Sequence, residues 1–296
     1  MTARAPAGAG TWVARDRAFA WGRGARPVLM GVLNVTPDSF SDGGRFRDVD
    51  AAVAAGEAMF DAGADVVDVG AESTRPGAAR VGSAEQRDRA CEVVARLAPR
   101  GAVSIDTTLA DVAEAAVSAG ACIVNDVSGC TEDERMLAVV AALRAGIVMM
   151  HRLVPPEHDR WSTEPDARRD GYGDVVGAVA SWLAVRTEAA RAAGVAHASI
   201  AVDPGFGFGK DIAQHLRMLA RFDAFAALGV PALVGASRKS FIGAVTGIAE
   251  PVGRDAASAA VAAIAVARGA SIVRAHDVAG HRAAIDAAAA VRDAEA

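Results

Sequence analysis

The chain has 296 residues, of which 52% are hydrophobic and 30 are glycine, with a formal net charge of −5. That length and apolar content support one large folded core and exclude a disordered chain, and the acidic balance argues against general nucleic-acid binding, which needs a basic face. Three cysteines, Cys91, Cys122 and Cys130, lack metal spacing and read as reduced thiols of a cytoplasmic protein, and no apolar run is long enough to span a membrane.

Taken in chain order, residues 1–26 are rich in Ala, Gly and Arg, lack a signal-peptide core and read as a flexible extension ahead of one domain at 27–296. Short apolar, β-branched runs then recur at 28–35, 65–70, 102–107, 122–127, 146–151, 199–204, 231–237 and 271–277. Helical patterns follow them at 49–62, 84–97, 109–119, 133–144, 175–193, 212–227, 255–268 and 278–291. Near-continuous apolar strands are expected where both faces of a parallel sheet are covered. Gly63, Gly120, Gly146 and Gly269 stand where a helix needs a left-handed cap before the next strand. Eight βα units predict a single-domain α/β protein, a (β/α)8 TIM barrel, over a doubly wound sheet of five or six strands. The one long irregular stretch, 152–170, reads as a loop after the fifth strand.

In such a barrel the C-terminal strand ends converge on one mouth. Those ends carry Asn34, then Glu72-Ser73-Thr74-Arg75-Pro76-Gly77, Asp106, Asn125-Asp126, His151, Asp203, Ser237-Arg238-Lys239-Ser240, and Arg274 with His276. A single Asp or Asn there is as readily a helix cap, but polar groups on eight strand ends of eight make an active site the better account. Asp106, Asn125, Asp203 and Lys239 could read the donor and acceptor edge of a heterocycle with an amino-imine face. Asn34, Thr74, Arg75, Arg274 and His276 could make an anion site on the strands that close the barrel, helped by the N-terminus of the last helix. A P-loop reading of 205–210 fails at Pro204 and Asp211, and His151 and His276 lack a third ligand for zinc.

The stretches GVLNVTPDSFSDGG, ESTRPG, SIDT, VNDVSG, MH, DPGFGFGK, SRKSFIG and RAHDV, in this order over about residues 28–290, resemble the dihydropteroate synthase family. The resemblance implies a folate-pathway transferase, and a sulfonamide target, that joins 6-hydroxymethyl-7,8-dihydropterin pyrophosphate to p-aminobenzoate, with Mg2+ as cofactor. Its partners would be those small-molecule substrates and a second copy of the chain, with no nucleic acid or membrane. It places the pterin at Asp106, Asn125, Met150, Asp203, Phe208, Gly235 and Lys239. Pyrophosphate falls at Asn34, Thr74, Arg75, Arg274 and His276, with Asn34 touching the metal. The aminobenzoate falls at Phe40, Thr74, Arg75, Pro76, Phe206 and Ser240. Asp106, Asp203, Lys239, Asn34, Arg274 and His276 would carry catalysis, with pyrophosphate leaving before the arylamine attacks. The loop holding Pro37 and Phe40 would close over the bound pterin and shape the second pocket. Two departures stand out: Gly70-Ala71 replaces a pair of glycines, and RLVPPEHDRWSTEP replaces a short turn after His151. A related methyltransferase acting between a folate and a corrinoid protein would have no use for ESTRPG and SRKS.

Overall fold

The computed structural model describes residues 8–35, 45–164 and 172–294. Within them the chain runs β1 (Gly10–Ala14), β2 (Arg17–Trp21), β3 (Val28–Asn34), α1 (Arg45–Asp61), β4 (Val66–Gly70), α2 (Ser83–Leu97), β5 (Ala102–Asp106), α3 (Ala110–Ser118), β6 (Ile123–Asp126) and α4 (Met136–Leu143). It continues as β7 (Gly146–Met150), α5 (Val175–Ala192), β8 (Ile200–Asp203), α6 (Ile212–Ala220), α7 (Asp223–Ala226), β9 (Leu233–Val234), α8 (Ser240–Thr246), α9 (Asp255–Ala267), β10 (Ile272–Ala275) and α10 (Val278–Ala294). No helix of the described residues is long and apolar enough to cross a membrane. Pro37 and Phe40, expected in a closing loop, lie outside the described residues.

The eight strands from β3 onward form one sheet in the order β8-β7-β6-β5-β4-β3-β10-β9, with every neighbouring pair parallel. Val202 of β8 bridges to Ala232 beside β9 and donates its N–H to Pro231 O at 3.0 Å, which closes the sheet on itself. The expected TIM barrel is therefore the fold, with each strand followed by helix on the outside.

The period-two alternation of a strand sorts the side chains into two sets. Leu29, Val67, Val69, Val103, Ile105, Val124, Ile147, Val202, Val234 and Val273 face the helices in the main core. Met30, Val66, Ala102, Ile123, Val148, Ala201, Leu233 and Ile272 face the barrel axis and fill its lower end. Moving two residues toward the mouth from that apolar layer replaces Val66 by Asp68, Ile123 by Asn125, Ala201 by Asp203 and Ile272 by Arg274. The site is thus a change of chemistry within one inward-facing set.

Three expectations are corrected here. Residues 10–21 are an antiparallel hairpin with Gly10 opposite Trp21, where a flexible extension was expected. Its alternation puts Trp12 and Ala14 into the apolar layer at the barrel floor, with Trp12 Nε1 donating to Ser199 O at 3.1 Å and Arg15 N–H to Arg144 O at 3.0 Å. The helix expected over 212–227 breaks at Arg221, whose φ of −121° and ψ of 36° leave the helical region, and Phe222 turns wholly into the core. The left-handed residue between α4 and β7 is Arg144, at φ 54°, so Gly146 opens the strand and does not cap the helix.

Candidate active site

Above the apolar floor, β4, β5, β6 and β10 bring four polar side chains together. Asp68 is fully buried. Its Oδ2 accepts from Arg274 Nε at 2.6 Å and from Asn125 Nδ2 at 3.0 Å. Arg274 Nη2 also donates to Asp106 Oδ2 at 2.8 Å. One guanidinium therefore clamps two carboxylates from neighbouring strands, the planar fork suiting Arg and not Lys. Burial pushes the Asp106 carboxyl above its ordinary value, opposed by Arg274 and reinforced by Asp68. Asp68 is a site residue that strand-end counting misses. The signal was its phase: in 66–70 it shares a face with Val66 and Gly70, as Ser104 does with Asp106 in the next strand.

Across the barrel, Asp203 at the end of β8 accepts the Gly205 N–H at 2.7 Å through Oδ1. Burial raises its pKa to about 6, against that hydrogen bond and the charges of Lys239 and Lys210. Lys239 reaches in from the turn before α8 with Nζ 4.2 Å from the centre of the Phe208 ring, a cation–π geometry. Burial, aided by Arg274, lowers its pKa to about 8. Gly207 makes this approach possible. At φ +85° a Cβ there would lie 2.6 Å from Lys239 Cδ, so a side chain would be both strained and in the lysine's path. Phe208, Met150 and Val127 form a small apolar cluster apart from the main core. A Cβ on Gly235 would sit 3.5 Å from Asp203 Oδ2, so the glycine leaves that wall thin.

Lys210 is a different kind of lysine. It is buried and donates to Phe208 O at 2.9 Å, Gly205 O at 3.0 Å and His151 O at 3.4 Å. Its ammonium serves as an internal strut for the 204–210 loop, with burial lowering its pKa to about 7. His151 is likewise structural, its ring edge-on to Trp182.

On the anion side, Asn34 closes β3 opposite Gly70. A Cβ at Gly70 would stand 3.5 Å from Asp106 Cβ and 3.7 Å from Asn34 Oδ1, so this glycine lies between the two. Ala71, the departure beside it, faces the helix layer and leaves the mouth unchanged. His276 is kept neutral, burial and the charges of Arg274 and Arg238 lowering its pKa to about 3. Ser237 Oγ accepts the His276 N–H at 3.2 Å and lies 3.0 Å from Nδ1. When the Ser237 hydroxyl donates to Nδ1, that nitrogen is the acceptor and Nε2 carries the ring proton as an N–H donor. Ser240 opens α8 beside Lys239.

Some expected residues are not brought into this cluster. Thr74, Arg75 and Pro76 stand on the rim loop after β4, with Arg75 exposed. Among the described residues, neither Thr74 nor Arg75 bonds to Arg274 or His276. Phe206 is 1% exposed and stacks among Phe222, Phe241 and His215 behind the barrel wall; the left-handed turn at Gly207 between the two rings leaves Phe206 in the main core and Phe208 with Met150, so Phe206 does not line a pocket at the mouth. The N-terminus of α10 is occupied by Asp277, whose Oδ1 accepts from Gly280 N–H at 3.2 Å, so the anion site expected there is already capped.

A closed (β/α)8 barrel whose mouth pairs a clamped acidic cluster with a cation over an aromatic ring defines a barrel enzyme for a polar, ring-bearing substrate. The family described as pterin binding enzyme matches residues 30–276. The dihydropteroate synthase of Mycobacterium leprae is 46% identical over 266 residues, 88% of this chain and 90% of that one. A Haloferax volcanii protein, a probable bifunctional folylpolyglutamate synthase/dihydropteroate synthase, is 45% identical over 276 residues, 93% of this chain but 32% of its own length; the chain thus spans about a third of that relative. The structure of Xanthomonas albilineans dihydropteroate synthase with 4-aminobenzoic acid superposes with a TM-score of 0.84 at 39% identity, covering 97% of this chain and 99% of that one. The chain belongs to the dihydropteroate synthase family of pterin-binding enzymes.

Proposed function

We propose that the chain condenses 6-hydroxymethyl-7,8-dihydropterin pyrophosphate with p-aminobenzoate to give 7,8-dihydropteroate and pyrophosphate. The observation that carries this reading is the polar layer of buried Asp68, Asp106 and Asn125 with half-buried Arg274, facing Asp203 and Lys239, above an apolar barrel floor. A pterin edge presents amino and ring N–H donors beside a carbonyl acceptor. Carboxylates at Asp106 and Asp203, the Asn125 amide and the Lys239 ammonium supply the complementary set. Met150, Phe208 and Gly235 bound the space for a flat ring.

Charge then develops in two places. The departing pyrophosphate is negative, and Arg274 with the N–H of His276 would stabilise it. The methylene it leaves is positive and conjugated to the ring, which lies among the carboxylates. A neutral arylamine attacks that carbon, and the resulting ammonium gives up its proton to water or to the released pyrophosphate, so no strong base is needed. Mg2+ is part of the proposal and would neutralise charge on the leaving group. The hard amide oxygen of Asn34 suits it as a single protein ligand completed by substrate oxygens and water, the usual way Mg2+ is bound. Thr74, Pro76 and Ser240 would border the arylamine, in keeping with the 4-aminobenzoic acid bound by the Xanthomonas albilineans relative.

The test is pyrophosphate release from purified protein with both substrates and Mg2+. Asp203→Ala and Lys239→Ala each abolish it; unimpaired turnover in both would overturn the site assignment. A homodimer is proposed as well, to be read by sedimentation.

A further inference from the structure

The segment that replaces a short turn after His151 is not a detached loop. Residues 152–162 make hydrogen bonds and ion pairs that tie together the two loops that flank the mouth on this side. Pro156 O accepts the Gly77 N–H at 2.8 Å, holding the loop that carries Thr74 and Pro76. Asp159 Oδ2 accepts the Gly209 N–H at 3.1 Å, holding the loop that carries Phe208. Ser162 Oγ lies 3.0 Å from His215 Nε2, which in turn accepts the Gly207 N–H at 3.3 Å. A web of ion pairs runs underneath: Arg152 with Glu132, Glu132 with Arg80 at 2.7 Å, and Arg80 with Glu157 at 4.0 Å.

The loop being held needs holding. Gly205, Gly207 and Gly209 sit at φ of +74°, +85° and +60°, a backbone that glycine permits but does not enforce. Lys210 pins its carbonyls from inside. The amides of Gly207 and Gly209, on either side of Phe208, are pinned by His215 and Asp159.

We propose that segment 152–162, acting through Asp159 and Ser162, is a positioning brace that fixes the loop of Phe208 relative to the loop of Pro76 and so sets the width of the arylamine pocket. The inference rests on the synthase reading above and names the substrate it tunes: the arylamine, not the pterin. The pterin's polar grip comes chiefly from Asp106, Asn125 and Asp203 on the strands, which the brace does not touch; Phe208 is the one pterin-side residue on the braced loop. The arylamine lies between two loops that the brace joins.

Asp159 also places negative charge near Lys210 and Lys239, so the test separates tether from charge. Steady-state kinetics with both substrates are measured for Asp159→Ala, Asp159→Asn and Ser162→Ala. Asp159→Ala raises KM for p-aminobenzoate roughly tenfold, within the cost of misplacing a group by about 1 Å, while KM for the pterin pyrophosphate stays within about twofold. Asp159→Asn, which keeps the acceptor and loses the charge, stays within about twofold for both. Ser162→Ala shifts KM for p-aminobenzoate in the same direction, and it carries the test if Asp159→Ala does not fold. Equal rises in both KM values, no change in either, or Asn behaving as Ala would each overturn the brace. If the wild-type protein releases no pyrophosphate, the synthase reading fails and not the brace. The brace is then read from hydrogen exchange at the Gly209 amide, which Asp159→Ala accelerates and Asp159→Asn leaves slow; unchanged exchange in Asp159→Ala overturns it.

Discussion

Burial moves Asp203 up to about 6 and Lys239 down to about 8, so between those values both carry charge inside the barrel. If the ionised pair is the working form, kcat/KM is bell-shaped, its acid limb near pH 6 and its alkaline limb near pH 8. Lys239→Arg, whatever its loss in rate, should move the alkaline limb out of range, which a pH profile of the residual activity checks. Stability runs the other way. The folded pKa of Asp203 lies above its unfolded value, so its contribution is full below about pH 4 and is lost as pH rises through about 6. Asp203→Asn should therefore be inactive yet melt higher than wild type at pH 7.5, by about 2–4 °C per kcal/mol regained, with the gain vanishing near pH 4. Thermal melts at both pH values decide it.

Asp68 carries a different prediction. Its carboxylate anchors Arg274 and Asn125 through one oxygen, so Asp68→Ala removes one carboxylate of a buried cluster and should cost about 3–5 kcal/mol. Asp68→Asn should fold but lower kcat/KM for the pterin substrate, by about tenfold for each 1.4 kcal/mol of lost alignment. Calorimetric binding of the pterin pyrophosphate should weaken in parallel. The acid was hidden in the sequence because an apolar run with one aspartate reads first as a buried strand, and only the inward phase shared with Gly70 assigns it to the mouth. Asp106, Asn125, Asp203 and Arg274 were legible because they lie at or beside strand ends, and Lys239 because it stands in the loop that follows one. Phe206 was misplaced because in a loop of alternating glycines and phenylalanines nothing local says which ring turns inward.

The βα units were legible as a set, since each apolar run had a helix behind it and a turn between. Their ends were less so. The strand expected over 231–237 narrows to Leu233–Val234, because ladder pairing with β10 stops there. The short α8 was missed, being seven residues with little periodicity to display. The hairpin β1–β2 was missed because small residues and arginine dominate its composition while Trp12, Ala14, Phe19 and Trp21 keep the alternation. Loop conformation follows contacts distant in sequence, as Gly207 illustrates. Gly207→Ala puts a methyl group into the path of the Lys239 stem in a left-handed backbone. Turnover should fall by about two orders of magnitude with the circular dichroism spectrum unchanged, and a normal rate would show that Lys239 has another route.

Trp12 joins the hairpin to the barrel floor, 1% exposed and bonded to Ser199 O. Trp12→Ala should cost about 3–5 kcal/mol of stability while leaving both KM values unchanged, since the floor lies below the polar layer. Denaturant unfolding and steady-state kinetics on one preparation test both halves. The sealed floor also bears on traffic. A barrel plugged at one end has a single door, and two substrates that use it must queue. The one whose contacts lie deepest enters first and leaves last, and anything resting near the threshold detains whatever is behind it. A compound that fits only the outer, arylamine position should therefore slow the escape of an inner ligand without touching it, and stopped-flow release of a fluorescent pterin would show the delay.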